Sequence, residues 1–464
     1  MLQKEWKELF RDSRILFLSA VAMLLLLFAL VNSRSYYYAV QTQHQEAKAH
    51  ARNIWVSQDD KNPHSAAHFG TYAFKPKYPL ALLDQGIDKY AGISVFLEAH
   101  NRNEAEFAAA ADQTGLSRFG DLTPDFILLF LLPLFIILTG YNLVSREREL
   151  GAFQLVKSQG FPLWKWVLTK WAALLLPVTA ITVGIFGTAA LFLHNLKDYG
   201  QFQAAPLLVM AVVYFIYYAI FTNLTILISA WSRRSGVALL WLLVLWMGVC
   251  LGMPKLAANL AESQYPFPGR AAFADAVKDD IRNGLDGHNP WSQAAKQFEK
   301  ETLAKYGVDS IHQLPFNFEG YRMQKGEEHE AAVYFKHYDL LRQQYEKQSN
   351  LYRKAALISP FLPVRFASMA LARSDYAAHW DFADAAEKYR LEMVRILNTD
   401  LAENSKYDEW DYKAGKELWE QVPDFSFTPP TFTDVLSRQK FNFLTLAIWF
   451  MVSFGAMIWS ANKL

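Results

Sequence analysis

The hydrophobic positions of this 464-residue chain fall into long unbroken blocks, not into the short stripes of a soluble core. Six uncharged apolar runs stand out: Ile15 to Val31, Phe126 to Val144, Trp171 to Leu193, Ala205 to about Trp231, Val237 to Met253, and Phe441 to Ser460. Runs of about 17–25 residues are long enough to cross a hydrocarbon core, so the pattern predicts six transmembrane helices. None carries a Lys, Arg, Asp or Glu in its interior, which excludes an intramembrane relay built from charged groups. Pro133 and Pro177 lie inside runs, where neighbouring helices can satisfy the freed backbone groups.

Between the runs the periodicity changes. Tyr334, Tyr338, Leu341 and Tyr345 share one face of a helix expected from about Glu327 to Ala356. Pro360 and Pro363 are expected to interrupt it, and Asp375 to cap a further helix with a stripe of Phe382, Tyr389, Met393 and Ile396. Pro423 to Pro430 reads as extended, because Pro429 and Pro430 resist helix. Ile93, Val95 and Leu97 alternate with Ser94, Phe96 and Glu98, as in a short strand. The expected fold class is an α-helical polytopic membrane protein with a mainly helical (α+β) external domain.

Charge orients the spans. With six spans, residues 1–14, the connections 145–170 and 232–235, and the C-terminus share one side. These segments hold 12 of the 46 Lys and Arg in about 49 residues. That enrichment places them in the cytoplasm. Residues 32–125, a short loop near 194–204, and residues 254–440 then lie outside. The two large external segments are expected to form one unit, since 32–125 shows little regular amphipathic helix and would bury only a modest core alone. The first run exceeds a signal-peptide core and lacks a small-residue cleavage site after Val31, so it is expected to be a retained anchor.

A net charge of +1 argues against a nucleic-acid binder, and Cys250 alone, inside the fifth run, excludes a disulfide scaffold. His64 and His68 have the spacing to share a helix face. Pro63 and Gly70 argue for a loop there, however, and no carboxylate or thiolate sits nearby at ligand spacing. No metal site and no catalytic site is therefore expected. Gly248 and Gly252 form a GxxxG pair suited to close helix packing, within the chain or across a dimer seam, and Cys250 between them offers a cross-linking probe.

The segment after the second span reads Ser145-Arg-Glu-Arg-Glu-Leu-Gly-Ala-Phe-Gln-Leu-Val-Lys-Ser-Gln-Gly-Phe-Pro162. Glu147, Arg148, Glu149, Gly151 and Ala152, followed by Leu155 and Gly160-Phe161-Pro162, resemble the E-R-E-x-G-[TA] signature of ABC-2 type permeases, with Ala at the Thr position. In that family the segment forms a coupling helix that docks on an ATPase subunit. The resemblance thus implies ATPase coupling by Glu147, Arg148, Glu149, Gly151, Ala152, Phe153, Leu155 and Lys157. Residues 1–14 resemble the family's amphipathic elbow, with Trp6, Leu9 and Phe10 in the membrane interface. Tyr78 to Asp84, Leu97 to His100, Gly120 to Pro124, Leu357 to Pro360 and Ala370 to Asp375 resemble a bacterial subgroup with a large extracytoplasmic domain.

What the resemblance implies is the membrane subunit of an ATP-driven transporter in a bacterial inner membrane, with its large domain periplasmic. This chain is expected to bind no cofactor, ATP and Mg belonging to a separate ATPase. A second permease chain, identical or paralogous, and the lipid bilayer complete the partners, with a periplasmic protein as a further candidate. Export of a lipophilic or amphipathic substrate competes with mechanotransmission to that periplasmic partner, and with a membrane-anchored external sensor or enzyme.

Overall fold

The computed structural model describes residues 2–11, 13–106, 122–196, 202–409 and 411–463. Among the described residues, six helices are long and apolar enough to span a membrane, and they overlap the six apolar runs. A short α1 (Leu2–Arg11) precedes α2 (Ser13–Val56), which contains the first span. With 44 residues α2 is about 66 Å long, twice a hydrocarbon core of about 30 Å. Its second half therefore stands outside the membrane as a stalk. The expectation of little regular helix after Val31 is corrected here, because residues 32–56 contain no Pro or Gly to stop the helix.

Past the stalk come α3 (Pro63–Phe69) and an antiparallel pair, β1 (Thr71–Phe74) with β2 (Ser94–Leu97), in which Ala73 faces Val95. The second span enters through a π turn at Ile127–Leu131 and continues as α4 (Leu132–Gly140). Pro133 sits just after that turn, where regular backbone pairing fails. The exposed carbonyls are recaptured: Tyr218 and Tyr217 donate their hydroxyls to Leu128 and Leu129 oxygens at 3.0 Å, and Trp246 Nε1 donates to Phe130 oxygen at 3.2 Å. Those donors come from α8 (Ala204–Trp231) and α9 (Ser235–Met247). Before them lie the short α5 (Ser145–Glu149) and α6 (Ala152–Ser158) and the third span, α7 (Leu163–His194).

The fifth span repeats the device. A π turn at Gly248–Gly252 joins α9 to α10 (Met253–Gln264), and the Val249 carbonyl accepts from Ser359 Oγ at 2.8 Å. The sixth span is α14 (Lys440–Ser460). Helix α8 is central, packed against α4, α7 and α14.

Three helices frame the second external segment: α11 (Phe318–Ala356), α12 (Phe361–Leu371) and α13 (Tyr376–Asn404). Pro363 does not interrupt α12. It lies in the first turn, where its missing N–H is no loss. Asp375 caps α13 as expected, accepting from Ala378 N at 2.9 Å. Apolar α12 lies on α8 and shares the core of the spans. A second core joins Trp55, Ala67 and Leu97 of the first external segment to Phe382, Met393 and Trp419 of the second. The two segments are one body, as their separate apolar faces require.

Candidate functional site

The connection between the second and third spans is built by glycine. Gly151 breaks the chain between α5 and α6 at φ 73, and Gly160 does the same after α6 at φ 67, a region that side chains rarely adopt. The resulting loop is held by its three charges. Glu147 pairs with Lys170 of α7, whose ammonium also lies 2.7 Å from Glu5 of α1. Arg148 donates to the Ala230 carbonyl at the end of α8. Glu149 accepts from both the N–H and the hydroxyl of Ser235 at 2.7 Å, capping the start of α9.

The charged triplet therefore ties α5 to α7, α8 and α9, and through Lys170 to α1, while Glu149 itself stays exposed. Phe153 is buried against Trp166, with ring centroids 5.3 Å apart. Two leucines stand among the outward residues: Leu150, just before Gly151, is 72% exposed and Leu155 of α6 is 66% exposed, with Gln154 and Ser158 also exposed. Lys157 is exposed beside them, Gly151 leaves open space around itself, and Ala152 is half-buried. In α1, Trp6 is 39% exposed, while Leu9 and Phe10 belong to the helix with side chains outside the described set. The motif signalled the loop. It did not reveal that Glu5, Lys170 and Ser235 hold it, since those partners stand far away in sequence.

At the opposite end of the second span a buried cluster ties the external region to the bundle. Arg365 of α12 reaches Asp84 and Asp125 at 2.9 Å each. Ser368 donates to Asp84 at 2.6 Å, and its oxygen lies 3.0 Å from the Tyr214 hydroxyl of α8. Asp84 is wholly buried and also accepts from Gly86 N at 3.0 Å. Of the segments that carried the subgroup resemblance, 78–84 supplies Asp84 and 370–375 supplies Ser374, whose hydroxyl donates to the Asp84 carbonyl at 2.8 Å; Arg365, Ser368 and Asp125 lie just outside those segments. Gly120 and Asp121, also in that resemblance, lie outside the described residues.

On the fifth span, Gly248 has nothing within 4 Å of an added Cβ, and Gly252 meets only the carbonyl of Met247 at 3.6 Å. Close packing of this pair within the chain is thus not found among the described residues, and the face stays open. Cys250 points the other way, 1% exposed, with its sulfur 3.5 Å from the Tyr217 hydroxyl. It is unsuited to the cross-linking expected of it, because the π turn rotates it into the bundle.

One grouping was set aside at the sequence level: His64 and His68 were weighed as ligands and discounted, and His100 and His288 gave no signal there. His64, His68, His100 and His288 place ligand nitrogens within 4.8 Å of one another. Pro63 and Gly70 had argued for a loop at His64 and His68. They instead bound a helix, with Asn62 as N-cap, Pro63 in the first turn and Gly70 as C-cap. Burial holds His64 down at about 3, so its ring is neutral at pH 7.

Residues 87–257, from the first external segment through the fifth span, match the family model described as ABC-2 membrane transporter related. Over this stretch the chain resembles the ABC-2 membrane transporters. That match takes in both helices of the loop and the Asp125 end of the second span. Residues 270–428 match a second model, described as Domain of unknown function (DUF3526), which covers α11 to α13. No curated protein matches the chain. The family points to a transport subunit and not to an enzyme.

Proposed function

We propose that this chain is the permease subunit of an ATP-driven transporter, working with a separate ATPase that docks on α6 and on Leu150 just before it. The observation that carries the reading is the loop itself: exposed Leu150 at the end of α5 and exposed Leu155 on α6, with α5 tied to α7, α8 and α9, and through Lys170 to α1, and α6 held by Phe153 on Trp166. Exposed leucines on a braced loop are suited to receiving force from a partner. The termini lie on the inner side by charge, and the external region on the periplasmic side. A second permease chain completes the complex, because an ATPase dimer offers two grooves.

Uncharged spans favour a lipophilic or amphipathic substrate over an ion. A second reading, mechanical action on a periplasmic partner, draws support from the unbroken helix α2. A single rod of 44 residues carries any tilt of the first span straight into the external region. The test of docking is co-purification of the ATPase with full-length chain carrying Leu150→Asp and Leu155→Asp. Loss of the ATPase, with the chain still folded, is expected. Full recovery of the complex with normal ATP turnover would remove the assignment. Substrate-stimulated turnover by lipid-like compounds, against stimulation by a periplasmic protein, separates the two readings.

A further inference from the structure

We propose that His64, His68, His100 and His288 form a binding site for one divalent transition-metal ion that clips the two external segments together. His64 and His68 stand one turn apart on α3, and His100 follows β2 in the same segment. His288 comes from the second segment, in the turn before the helix Gln293–Tyr306, which itself precedes α11. Nothing in the loop-and-span machinery uses these side chains.

The distances are those of a ligand set. His64 Nε2 lies 3.1 Å from His288 Nε2 and 3.3 Å from His100 Nε2, and the last two are 2.8 Å apart. An ion with metal–nitrogen bonds of about 2.0–2.1 Å in tetrahedral geometry sets its nitrogens about 3.3 Å apart. The rings need to spread only slightly. His68 packs at the rim, its centroid 4.8 Å from His64 and 5.1 Å from His100. His68 and His288 are exposed, which leaves an entry path from solvent.

The outer nitrogens carry the second argument. His64 Nδ1 lies 2.9 Å from Asn398 Oδ1, and the Asn398 amide nitrogen donates to Gln324. His100 Nδ1 lies 2.8 Å from Glu330 and 3.2 Å from Glu327. Both acceptors favour a proton on Nδ1, which leaves Nε2 of each ring as the ligand atom facing the centre of the group. Imidazoles oriented by a carboxylate or amide at the far nitrogen are the usual support of a metal site.

The mount is correspondingly stiff. Glu327 is paired to buried Arg390, which also holds Glu387 at 2.9 Å. The His288 turn lies backbone against backbone on α11: a Cβ at Gly326 would come within 2.5 Å of Gly287 N, and Arg322 Nε donates to the Gly287 carbonyl at 3.1 Å. Nitrogen-only ligation selects Zn2+, Cu2+ or Ni2+ over Mg2+ or Ca2+. An ion there joins α3 and the β pair to α11, and so stiffens the body that the spans would move.

The test uses the full chain, purified without a polyhistidine tag, stripped with chelator, and titrated separately with Zn2+, Cu2+ and Ni2+. Metal content and calorimetry should give one tightly held ion per chain for at least one of these metals, and a rise in the thermal unfolding temperature. His68→Ala with His288→Ala, both exposed, should weaken binding at least a hundredfold and abolish the rise, while melting like the stripped wild type. His312→Ala, remote and exposed, should bind as wild type. No stoichiometric binding by the wild type with any of the three, or unchanged binding by the double variant, would overturn the site. Because the readout is metal content, failure of the site leaves the ATPase-docking assignment untouched, and the reverse holds too.

Discussion

Lys170→Met is the most demanding test of the loop's mounting. Lys170 is 2% exposed and faces two carboxylates, Glu5 and Glu147, whose side chains are 6% and 16% exposed. Removing the ammonium takes from both acids the counter-charge that Lys170 supplies. Breaking a buried pair in this way costs about 3–5 kcal/mol. Protonating a carboxylate, or releasing α1 to water, relieves it. Release of α1 is the cheaper route, because a ten-residue helix is marginal on its own.

At about 1.4 kcal/mol per factor of ten, the released population should rise roughly a hundred- to several-thousand-fold. The assay is tryptic cleavage at Lys4, Lys7 and Arg11 in detergent-solubilised chain, since cleavage tracks the open population when closing is fast. Cys250, buried in the bundle, should stay unreactive and report that the spans remain packed. Adding Glu5→Gln and Glu147→Gln to Lys170→Met removes the two negative charges and should restore slow cleavage. Cleavage of Lys170→Met within twofold of wild type, with Cys250 still protected, would refute the claim that this triad mounts the loop on α1.

Other outcomes follow from single contacts. Gly326→Val should lower stability by about 1–3 kcal/mol by chemical denaturation, because its Cβ would meet the Gly287 backbone at 2.5 Å; it should also displace His288 and lower metal content. His44 and His379 are each held down at about 4, chiefly by burial. Both folded values lie below the unfolded one, so stability is fully present above about pH 6.5 and falls as pH drops, by roughly 1.4 kcal/mol per pH unit from each. Denaturant midpoints at pH 7 and pH 5 measure this. Gly248→Cys, on the open face of the fifth span, should cross-link between two chains in the membrane if that face is a dimer seam, whereas native Cys250 should not; no cross-linking from Gly248→Cys would assign the face to lipid.

Much of the architecture was legible because its cause is local. An uncharged apolar run and a capping Asp375 announce themselves without reference to distant residues, and so did the strand at Val95. Errors arose where a local sign had two meanings. Pro63 and Gly70 were taken as loop formers but serve as the first-turn and capping residues of α3, and Pro363 likewise starts α12. The stalk was missed because a polar, aromatic-rich stretch after Val31 shows no clean stripe, though nothing in it stops a helix. The histidine group was illegible for another reason: its members stand at 64, 68, 100 and 288, and only the packing of Gly287 on Gly326 brings the last to the first three.

The links on the second span define what can move as a unit. At one end Glu147 and Glu149 fasten the loop to α7 and α9; at the other, Asp125 joins Arg365 and Asp84 of the external region. In between, three of its carbonyls are held by Tyr217 and Tyr218 of α8 and Trp246 of α9. A push on Leu150 and Leu155 therefore has few soft joints along this span through which to dissipate. Helix α2 offers a parallel route, tied to the loop through α1, Glu5 and Lys170. Both routes end in the body that contains Trp55, Trp419 and the four histidines. Softening either π turn would absorb the push; the bonds from Tyr217, Tyr218 and Ser359 to those turns are what prevent it. The polar groups inside the spans are accordingly best understood as braces, a role that uncharged hydroxyls fill without the cost of burying charge.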